Sequence, residues 1–449
     1  MREQYYKIER SPSTSELPKN ASDFRVLVES SKVKLAVSKA QESYIAWQDF
    51  RKKNWVTEKK ESVWALVALQ REFAAEPTPI SDSSGKFFTF NSRNHVEFLH
   101  QVTLELGGHF IGIGDFGEGD KQRFIRRNLI EESIASSQLE GANTSRLVAK
   151  KMLREGRAPK SHGEQMIANS YATMKFIEEE LKHEELSIEI IRDLHRRITE
   201  KTIDEKHQGV LRETLDSKGN PLVIKPWDNE KIAYTTPSKQ FVEQYMVKFI
   251  EFANDKDVGT GFIHPLIKAI MLHFWIGLLH PFEDGNGRLA RIIFYWYMLR
   301  KGYWAFSYLS ISERIIKSPS QYAMAYIYSE QDKNDLNYFI HYNIDKIKLA
   351  RKSFQEYVER KIAENKTVAK LIKDGHRFNQ RQLSLLQHLA KNEQAFTSLA
   401  EYRDVNNSIG KVTASYDLKQ LTEDGFLRKL HSGRNRYYYP TDKIKKLFS

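Results

Sequence analysis

The sequence predicts a mainly α-helical protein, with one β-hairpin inside the helical region and a small module of helices and strands at its C-terminal end. Three features support this prediction. Apolar residues recur at helical spacing over most of residues 1–345. From Ser217 to Pro237, one glycine and three prolines lie around two short extended segments, which is typical of a hairpin. After Arg377, three helical patterns precede two strands joined by the turn HSGRN.

The composition is that of a soluble globular protein. With 449 residues, 40% apolar and 29% charged, the chain is long enough for two or three domains. The absence of cysteine excludes disulfides, thiolate metal sites and a cysteine nucleophile, and it is consistent with a reducing cytoplasm. The N-terminus lacks the apolar segment of a signal peptide, and the longest apolar run, from Ala269 to Phe282, is too short to span a bilayer. We therefore expect a cytoplasmic protein without a membrane partner, and the formal charge of +12 is weak support for a polyanionic one.

Four regions follow from the changes in pattern along the chain. Residues 1–86 are expected to form a helical N-terminal domain that ends in a linker, EPTPISDSSGK. Residues 87–345 are expected to form a helical core, residues 346–376 a charged helical connector, and residues 377–449 a separate module. The predicted core helices are Lys121–Glu140, Gly163–Leu181, Ser187–Thr199, Pro237–Asn254, His264–Leu279, Arg288–Arg300 and Tyr322–Tyr328.

The segment HPFEDGNGRLAR, from His280 to Arg291, carries most of the candidate chemistry. It lies between two apolar helical patterns, so its turn of Gly285, Asn286 and Gly287 leads into a helix N-terminus. Glycines allow backbone amides to approach an anion closely, and the N-terminal end of a helix adds positive potential. The turn is therefore a candidate phosphate site.

Four side chains of this segment could supply the other groups that phosphoryl transfer needs. Arg288 lies in the first helical turn, where a cation opposes the helix dipole unless an anion is bound, and Arg291 follows on the same face. Asp284 offers the hard oxygen ligand that Mg²⁺ prefers. His280 has a pKa range suited to removing a proton from an attacking hydroxyl. A helix-turn-helix with surface arginines is the simpler interpretation, but it leaves four chemically distinct groups within twelve residues unexplained.

The segment resembles the motif of the Fic/Doc family, H-x-F-x-[D/E]-G-N-G-R-x-x-R, at every specified position. The resemblance implies a protein adenylyltransferase, which transfers AMP from ATP to a hydroxyl side chain of a target protein and releases pyrophosphate. It also implies ATP as substrate and Mg²⁺ as cofactor. The implied roles are general base for His280, magnesium ligand for Asp284, and ATP-phosphate binding for Gly285, Asn286, Gly287, Arg288 and Arg291.

The same resemblance assigns roles outside the motif. It extends from about Lys121 to Asp345 and implies a helical Fic core. The Ser217–Pro237 stretch corresponds to the family's flap, which aligns the target chain by strand addition. The candidate flap contacts are Ile232, Ala233 and Tyr234. Tyr322 corresponds to one of two tyrosines near the adenine site, and Gln321 replaces the other.

A second segment, SIASSQLEGAN, resembles the family's inhibitory motif, [S/T]-x-x-x-E-[G/N], through Ser136, Glu140 and Gly141. It closes a helix predicted over about residues 121–141, with Gly141 just after the helix end. Glu140 then faces the negative end of its own helix dipole, which is unfavourable without a cation, although an exposed, solvated glutamate is the simpler interpretation. Because the segment precedes the core, the resemblance is to the class with an N-terminal inhibitory helix. In that class the glutamate pairs with the second motif arginine, here Arg291, and keeps the γ-phosphate of ATP from its productive position.

Residues 377–449 resemble the winged helix-turn-helix of bacterial regulators, with helices followed by a β-hairpin. From residue 381 to residue 446 there are 12 Lys/Arg and 7 Asp/Glu, a net charge of +5, which suits DNA. The candidate DNA contacts are Lys411, Ser415 and Lys419 on the third helix, and Arg434 and Arg436 at the wing tip. Protein contacts, including a homodimer, are the alternative use of such a module, and the sequence leaves both open.

Two functions of different classes fit the sequence. The first is an autoinhibited adenylyltransferase that modifies a target protein and itself. The second is a DNA-binding transcriptional regulator whose Fic core senses nucleotide. Within the enzyme class, members of the family transfer other phosphate-containing groups or remove AMP. Intact His280 and Asp284 favour catalysis, and the Gly-Asn-Gly turn with both arginines favours ATP.

Overall fold

The computed structural model describes most of the chain. The described residues are 5–57, 59–91, 93–107, 118–216, 218–225, 231–256, 261–373, 378–390, 395–406, 409–432 and 435–444.

Helices make up most of the described chain, which confirms the mainly α-helical prediction. The helices are Ala21–Glu29 (α1), Ser31–Glu42 (α2), Trp47–Phe50 (α3), Lys60–Phe73 (α4), Val96–Val102 (α5), Glu118–Leu139 (α6), Arg146–Glu155 (α7), His162–Phe176 (α8), Ile188–Thr199 (α9), Lys239–Ala253 (α10), Pro265–Leu279 (α11), Asn286–Arg300 (α12), Ser312–Ile315 (α13), Pro319–Gln331 (α14), Asn337–Lys373 (α15), Gln380–Ala390 (α16), Leu399–Val405 (α17) and Lys411–Glu423 (α18).

Short antiparallel sheets supply the β-structure. The strands are Glu76–Ser81 (β1), Phe87–Phe90 (β2), Val223–Ile224 (β3), Tyr234–Thr235 (β4), Thr397–Ser398 (β5), Leu427–Ser432 (β6) and Asn435–Pro440 (β7). β1 pairs with β2, β3 pairs with β4, and the third sheet has the order β5-β7-β6. The β3–β4 pair is the hairpin predicted between Ser217 and Pro237, although residues 217 and 226–230 of that stretch lie outside the described residues.

Helix α11 is the centre of the main core. Nearly all its side chains are apolar and buried, as expected of a helix that is apolar on every face. Pro265 starts the helix, and the Nδ1 of His264 accepts the N–H of Leu266 as an N-terminal cap. Helix α12 packs along α11, while α10 and α15 also contact α11 and α9 contacts α12. The two helices that flank the motif are thus fixed by core packing.

The EPTPISDSSGK segment is strand β1 and a tight turn, so the predicted linker is wrong. The side chain of Asp82 accepts the N–H of Lys86 at 3.1 Å, and Gly85 takes the left-handed φ of +85° that the turn needs. Ile80 and Phe88 are fully buried in the main core. The prolines of β1 are compatible with a strand because a two-stranded sheet consists only of edges. These residues therefore pack with the core rather than linking to it.

The charged connector predicted over residues 346–376 is also not a separate element. Helix α15 is continuous from the core to Lys373, and it crosses the predicted boundary at residue 345. Phe354 and Val358 are buried in the main core, and the Nε of Arg351 donates to Glu105 at 2.8 Å. The charge of the segment therefore belongs to the solvated face of a core helix, at least as far as Val358.

The N-terminal helices α1, α2, α3 and α4 form an apolar cluster of their own. Arg71, at the end of α4, connects this cluster to helix α15. Its guanidinium lies 3.9 Å from the ring centroid of Tyr44, and its Nη1 donates to the hydroxyl of Tyr338 at 3.0 Å. No helix in the described part of the chain has the length and apolar content needed to cross a membrane.

The C-terminal residues have a third apolar cluster, centred on Leu386, Tyr402, Leu418 and Leu421. The order of three helices followed by a hairpin is the order that the sequence predicts, with β5 as an added strand. Helices α16 and α17 pack on α6, and the Nη1 of Arg126 on α6 lies 3.0 Å from Asp404. Helix α6 therefore contacts both the core and the C-terminal module.

Candidate active site

The turn between α11 and α12 is closed by its own side chains. Asn286, the first residue of α12, accepts the N–H of Phe282 at its Oδ1 (2.9 Å) and donates its Nδ2 to the Phe282 carbonyl (2.7 Å). Gly285 precedes the helix with a left-handed φ of +81°. The hydrogen bonds of the Asn286 side chain thus stay within the turn. The backbone N–H of Asn286 is one of the first-turn N–H groups of α12, which have no acceptor within the helix.

His280 caps the C-terminal end of α11 and has a strained backbone. Its φ of 45° lies in the left-handed region, which costs a non-glycine residue about 1 kcal/mol or more. Arg212 holds it there: the Nε of Arg212 donates to the His280 carbonyl at 2.6 Å, and its Nη2 donates to the Pro237 carbonyl at 2.8 Å. The backbone of His280 is therefore held by a cation 68 residues away in sequence.

The imidazole of His280 is neutral at physiological pH. Burial and then the neighbouring Arg212 guanidinium lower its pKa to about 4, while Glu140, Asp284 and the Gly277 carbonyl act in the opposite direction. The neutral ring is the form that accepts a proton. The carboxylates beside it stabilise the imidazolium that would result.

His195, on α9, packs against the motif and forms a hydrogen bond with its backbone. Its ring stacks on Phe282 with centroids 3.8 Å apart and planes 10° apart. The N–H of Gly209 donates to Nδ1 at 2.8 Å, so Nε2 carries the proton and donates to the Asp284 carbonyl at 2.8 Å. Burial lowers the pKa of His195 to about 4, which keeps this tautomer neutral. The sequence offers little reason to select His195, since a lone histidine in the apolar stripe of α9 is the only signal.

Asp284 is the half-exposed acidic group of the turn. Its Oδ1 accepts the N–H of Gly285 at 2.6 Å, and its Oδ2 lies 3.6 Å from the Nη2 of Arg288. Within the described residues, no group of three histidine or acidic side chains could hold a metal ion by itself. A single carboxylate beside a phosphate site fits Mg²⁺, which is usually bound through one or two carboxylates, substrate phosphates and water.

The two motif arginines are buried cations with unused donors. The Arg288 side chain is fully buried, and its Nη1 donates to the Ile198 carbonyl at 2.7 Å. Among the described residues, Nε and Nη2 of Arg288 and Nη1 of Arg291 are buried and have no hydrogen-bond partner. Buried donors of this kind are costly unless an acceptor is supplied, and guanidinium groups suit phosphate oxygens. The arrangement therefore favours an anionic ligand.

Arg291 is held by the end of helix α6. Its Nε donates to the Ser136 hydroxyl and its Nη2 to the Ser136 carbonyl, each at 2.8 Å. The same Nη2 lies 2.8 Å from Oε1 of Glu140. The structure thus brings together Ser136, Glu140 and Arg291, as the sequence predicts. A guanidinium at the C-terminal end of α6 also compensates the negative end of that helix dipole.

The Glu140 carboxylate lies over the first turn of α12. A methyl group added at Gly287 would be 2.1 Å from Oε1 and 2.7 Å from Cδ of Glu140, so only glycine leaves room for the carboxylate. Gly141 follows with φ of +88°, and the N–H groups of Gly141 and Ala142 donate to the carbonyls of Gln138 and Ser137, a Schellman end. Glu140 is therefore poorly placed for its own helix dipole but well placed for the positive end of α12.

Tyr322 closes the side of the site next to Arg291. Its hydroxyl and the Nε2 of His273 are 2.8 Å apart, and burial raises the pKa of the tyrosine. Gln321 instead points to the exposed surface, where the Nζ of Lys346 donates to it at 3.5 Å. Tyr322 is therefore at the site, and Gln321 is not.

The flap pairs with residues near the N-terminus. Ile224 pairs with Tyr234, and the N–H of Ala233 donates to the Ile224 carbonyl at 2.9 Å. Ile232 is fully buried, and its carbonyl accepts the N–H of Tyr6 at 2.8 Å in a short parallel bridge. The outer side of the flap at Ile232 is thus covered by this chain. Nothing in the sequence indicates this contact.

The predicted DNA contacts lie on the surface of the C-terminal module. Lys411, Ser415 and Lys419 are exposed on one side of α18, and Arg436 is exposed on β7. Arg434 lies outside the described residues.

Comparison with known proteins finds similarity in sequence and in fold. Residues 185–298 match the model of the Fic/DOC family. The protein adenylyltransferase fic-1 of Caenorhabditis elegans is 27% identical over 177 residues, which cover 38% of this chain and 31% of the relative. Protein adenylyltransferase Fic of Nematostella vectensis is 23% identical over 192 residues, 40% of each chain. A solved fragment of C. elegans Fic-1 has a TM-score of 0.50 and 19% identity over 72% of this chain and 83% of the fragment, so the fold is similar.

Residues 185–298, which include the motif from His280 to Arg291, are therefore similar to the Fic/DOC family. The curated relatives named above are protein adenylyltransferases, and the chain spans between about a third and two fifths of their length. Ser136 and Glu140 lie outside the residues that match the family model.

The titration of His280 tests the electrostatics of the site. We expect the His280 imidazole to titrate with a midpoint near pH 4. The titration is measured by NMR of labelled histidine, with the signal of exposed His183 as the reference. Glu140→Gln should lower the midpoint further, because it removes a negative charge that favours the imidazolium. A His280 midpoint near the ordinary value of about 6.5 would contradict the described burial.

Proposed function

We propose that this protein is an autoinhibited protein adenylyltransferase that transfers AMP from ATP to a hydroxyl side chain of a target protein and of itself. The observation that carries the proposal is the position of Arg291. Its guanidinium is bound by the Glu140 carboxylate, which lies over Gly287 of the turn. A phosphate of ATP would bind in that place.

The chemistry follows from the groups around the turn. The target hydroxyl oxygen forms a bond to the α-phosphorus, the bond from that phosphorus to the β-bridging oxygen breaks, and pyrophosphate leaves. The hydroxyl proton goes to the imidazole of His280, which is oriented by a hydrogen bond with the Gly277 carbonyl. Negative phosphates near the ring raise its proton affinity from the low value of the resting site.

The remaining residues bind and orient the nucleotide. The first-turn amides of α12, Arg288 and Arg291 neutralise the phosphate oxygens, and their unused buried donors become satisfied. Asp284 would hold Mg²⁺, which when bound neutralises charge on the phosphates. Tyr322 lies beside Arg291 and fits the adenine side of the site.

Autoinhibition follows from competition between two anions for one cation. The Glu140 carboxylate fills the space over Gly287 and binds Nη2 of Arg291. An ATP molecule with its terminal phosphate on Arg291 cannot coexist with that carboxylate, because like charges would be forced together in a partly buried site. Binding in a productive position therefore requires displacement of Glu140.

Removal of the Glu140 carboxylate should activate the protein. We expect Glu140→Gly to raise incorporation of labelled AMP, including self-labelling, by at least tenfold, while Arg291→Ala stays inactive in either background. The matched control is Glu155→Gly, which removes a glutamate just before a left-handed glycine at the end of α7, away from the site. An unchanged rate in folded, ATP-binding Glu140→Gly protein would rule out the inhibitory role.

Loss of the base should separate binding from chemistry. In the Glu140→Gly background, His280→Ala should reduce transfer by about 10²-fold or more and leave ATP affinity within a few fold, since general-base catalysis contributes on this scale. Asp284→Ala and a chelator should each abolish activity through loss of Mg²⁺. His183→Ala is the control for histidine removal. Near-parental transfer by His280→Ala, or full activity in chelator, would refute the respective assignment.

A second role, DNA binding, is proposed for the C-terminal module as a winged helix. The exposed cations of α18 and β7 support it, together with the predicted net positive charge of the module. Binding of a partner protein through the same face is the alternative for this module.

Salt dependence tests the DNA-binding role. Affinity for duplex DNA should fall as salt rises, because Lys and Arg side chains that bind phosphates release counterions. Lys411→Ala, Lys419→Ala and Arg436→Ala together should flatten the salt slope by about one unit for each phosphate-binding cation removed. Removal of exposed Lys32, Lys34 and Lys39 on α2 is the charge-matched control. The same slope in both triple variants, or no binding at low salt, would contradict the assignment.

A further inference from the structure

A large cavity lies between helix α6 and the C-terminal module, away from the motif. Its volume is about 440 Å³, and residues of α6, α7, α15, α16, α17 and β5 line it. This volume is within the usual range for small-molecule sites, roughly 300–1,000 Å³. The cavity is therefore large enough for a nucleotide-sized ligand.

The lining is strongly basic. The basic residues on three helices that face the cavity are Arg123, Arg126, Arg127, Lys150, Arg154 and Arg360. Two of them already have acidic partners, since Arg126 pairs with Asp404 and Lys150 with Glu131. Among the described residues, Arg127 and Arg154 form no salt bridge. The cavity lining thus contains six arginine and lysine side chains and one acidic side chain, Glu401.

The acidic residue of the lining, Glu401, does not remove this excess. Burial raises its pKa, although Arg126 and Arg154 act in the opposite direction. Within the described chain, Oε2 of Glu401 and the Nε of Arg126 are buried without a hydrogen-bond partner. Polar atoms in that state are normally satisfied by a ligand or by water. A ligand that accepts hydrogen bonds from guanidinium groups would satisfy the arginine side of the cavity.

Aromatic side chains complete the wall. Phe124 stacks on Tyr357 with ring centroids 3.9 Å apart, and Phe396, which directly precedes β5, also lines the cavity. Guanidinium groups bind phosphate oxygens in a fork geometry, and aromatic faces take planar bases. The combination fits a phosphate ester that carries a base better than it fits a simple carboxylate.

The cavity is distinct from the candidate active site. Arg123, Arg126 and Arg127 precede Ser136 by at least nine residues on the same helix, or about 14 Å along its axis. None of the residues of the His280–Arg291 motif lines the cavity. A ligand bound there would leave Arg291 in its contact with Glu140.

We propose that this cavity is a second anion site, which binds a multiply charged, phosphate-bearing ligand of nucleotide size. The ligand bridges α6 of the core and the α16–α17 face of the C-terminal module, and its phosphates contact the arginines of α6 and α7.

The test measures binding to the full chain after the active-site pair has been removed. Glu140→Ala with Arg291→Ala deletes both partners of the ion pair, which avoids leaving one buried charge unpaired. In that background we titrate ATP, AMP, pyrophosphate and inorganic phosphate by calorimetry at low ionic strength. Saturable binding of one equivalent of a multiply charged phosphate is expected. The nucleotide and pyrophosphate titrations distinguish whether the base or the phosphates alone supply the affinity.

Paired variants locate the site. Arg127→Gln with Arg154→Gln should weaken binding at least tenfold, because these two cations line the cavity and form no salt bridge among the described residues. Lys121→Gln with Lys151→Gln changes the same charge on the same two helices outside the cavity lining and should leave affinity within twofold. Equal weakening by both pairs, no saturable binding of any small phosphate, or binding of duplex DNA alone would each overturn the proposal.

Discussion

The contact between Arg291 and the end of helix α6 is the constraint on which the rest of the site depends. One guanidinium binds the Ser136 hydroxyl, the Ser136 carbonyl and the Glu140 carboxylate, and it is almost fully buried. It joins the C-terminal end of α6 to the first turns of α12. Because opposite helix ends meet there, each charge of the ion pair favours the dipole of the facing helix.

This arrangement explains why a glutamate is tolerated at the C-terminal end of its own helix. The carboxylate is an anion at the N-terminus of α12, over Gly287, in the position that we propose for a phosphate of ATP. The turn itself is rigid, since Asn286, His195 and Arg212 fix its backbone by hydrogen bonds that do not involve Glu140. Exchange of one anion for another therefore requires movement of the α6 end or of one side chain, and not a rearrangement of the core.

The local parts of the site could be predicted because they are contiguous in sequence. The positions of Asp284, Gly285 and Arg288 depend on the conformation of one turn and the start of one helix. The spacing of these residues along the sequence is enough to predict both. The pairing of Glu140 with Arg291 required a family resemblance, since helical periodicity does not show which of two helix ends will meet. His195 and Arg212 were missed because each acts on a backbone carbonyl more than 65 residues away.

The same distinction holds for the fold. Apolar periodicity located α9, α10, α11 and α12 to within about three residues, since their buried faces are continuous. It failed for β1, where prolines and serines are accommodated by an edge strand and an Asp82 turn. It predicted the helical conformation of α15 but placed a boundary at residue 345, because the charged face of the helix conceals a buried face that continues into the core. Contacts between distant segments, such as Tyr6 on the flap or the basic cavity, depend on tertiary packing and leave no local pattern.

The proposal that Glu140 occupies the phosphate site of ATP is tested most directly by a measurement of stability. The free energy of unfolding is measured for the parent and for Glu140→Gly, with and without saturating ATP and Mg²⁺. Without nucleotide, Glu140→Gly should be less stable by about 1–3 kcal/mol, because Arg291 is left buried and unpaired. ATP should stabilise the variant by at least about 1.4 kcal/mol more than it stabilises the parent, which corresponds to tenfold tighter binding. Equal stabilisation of both proteins by ATP would contradict the account.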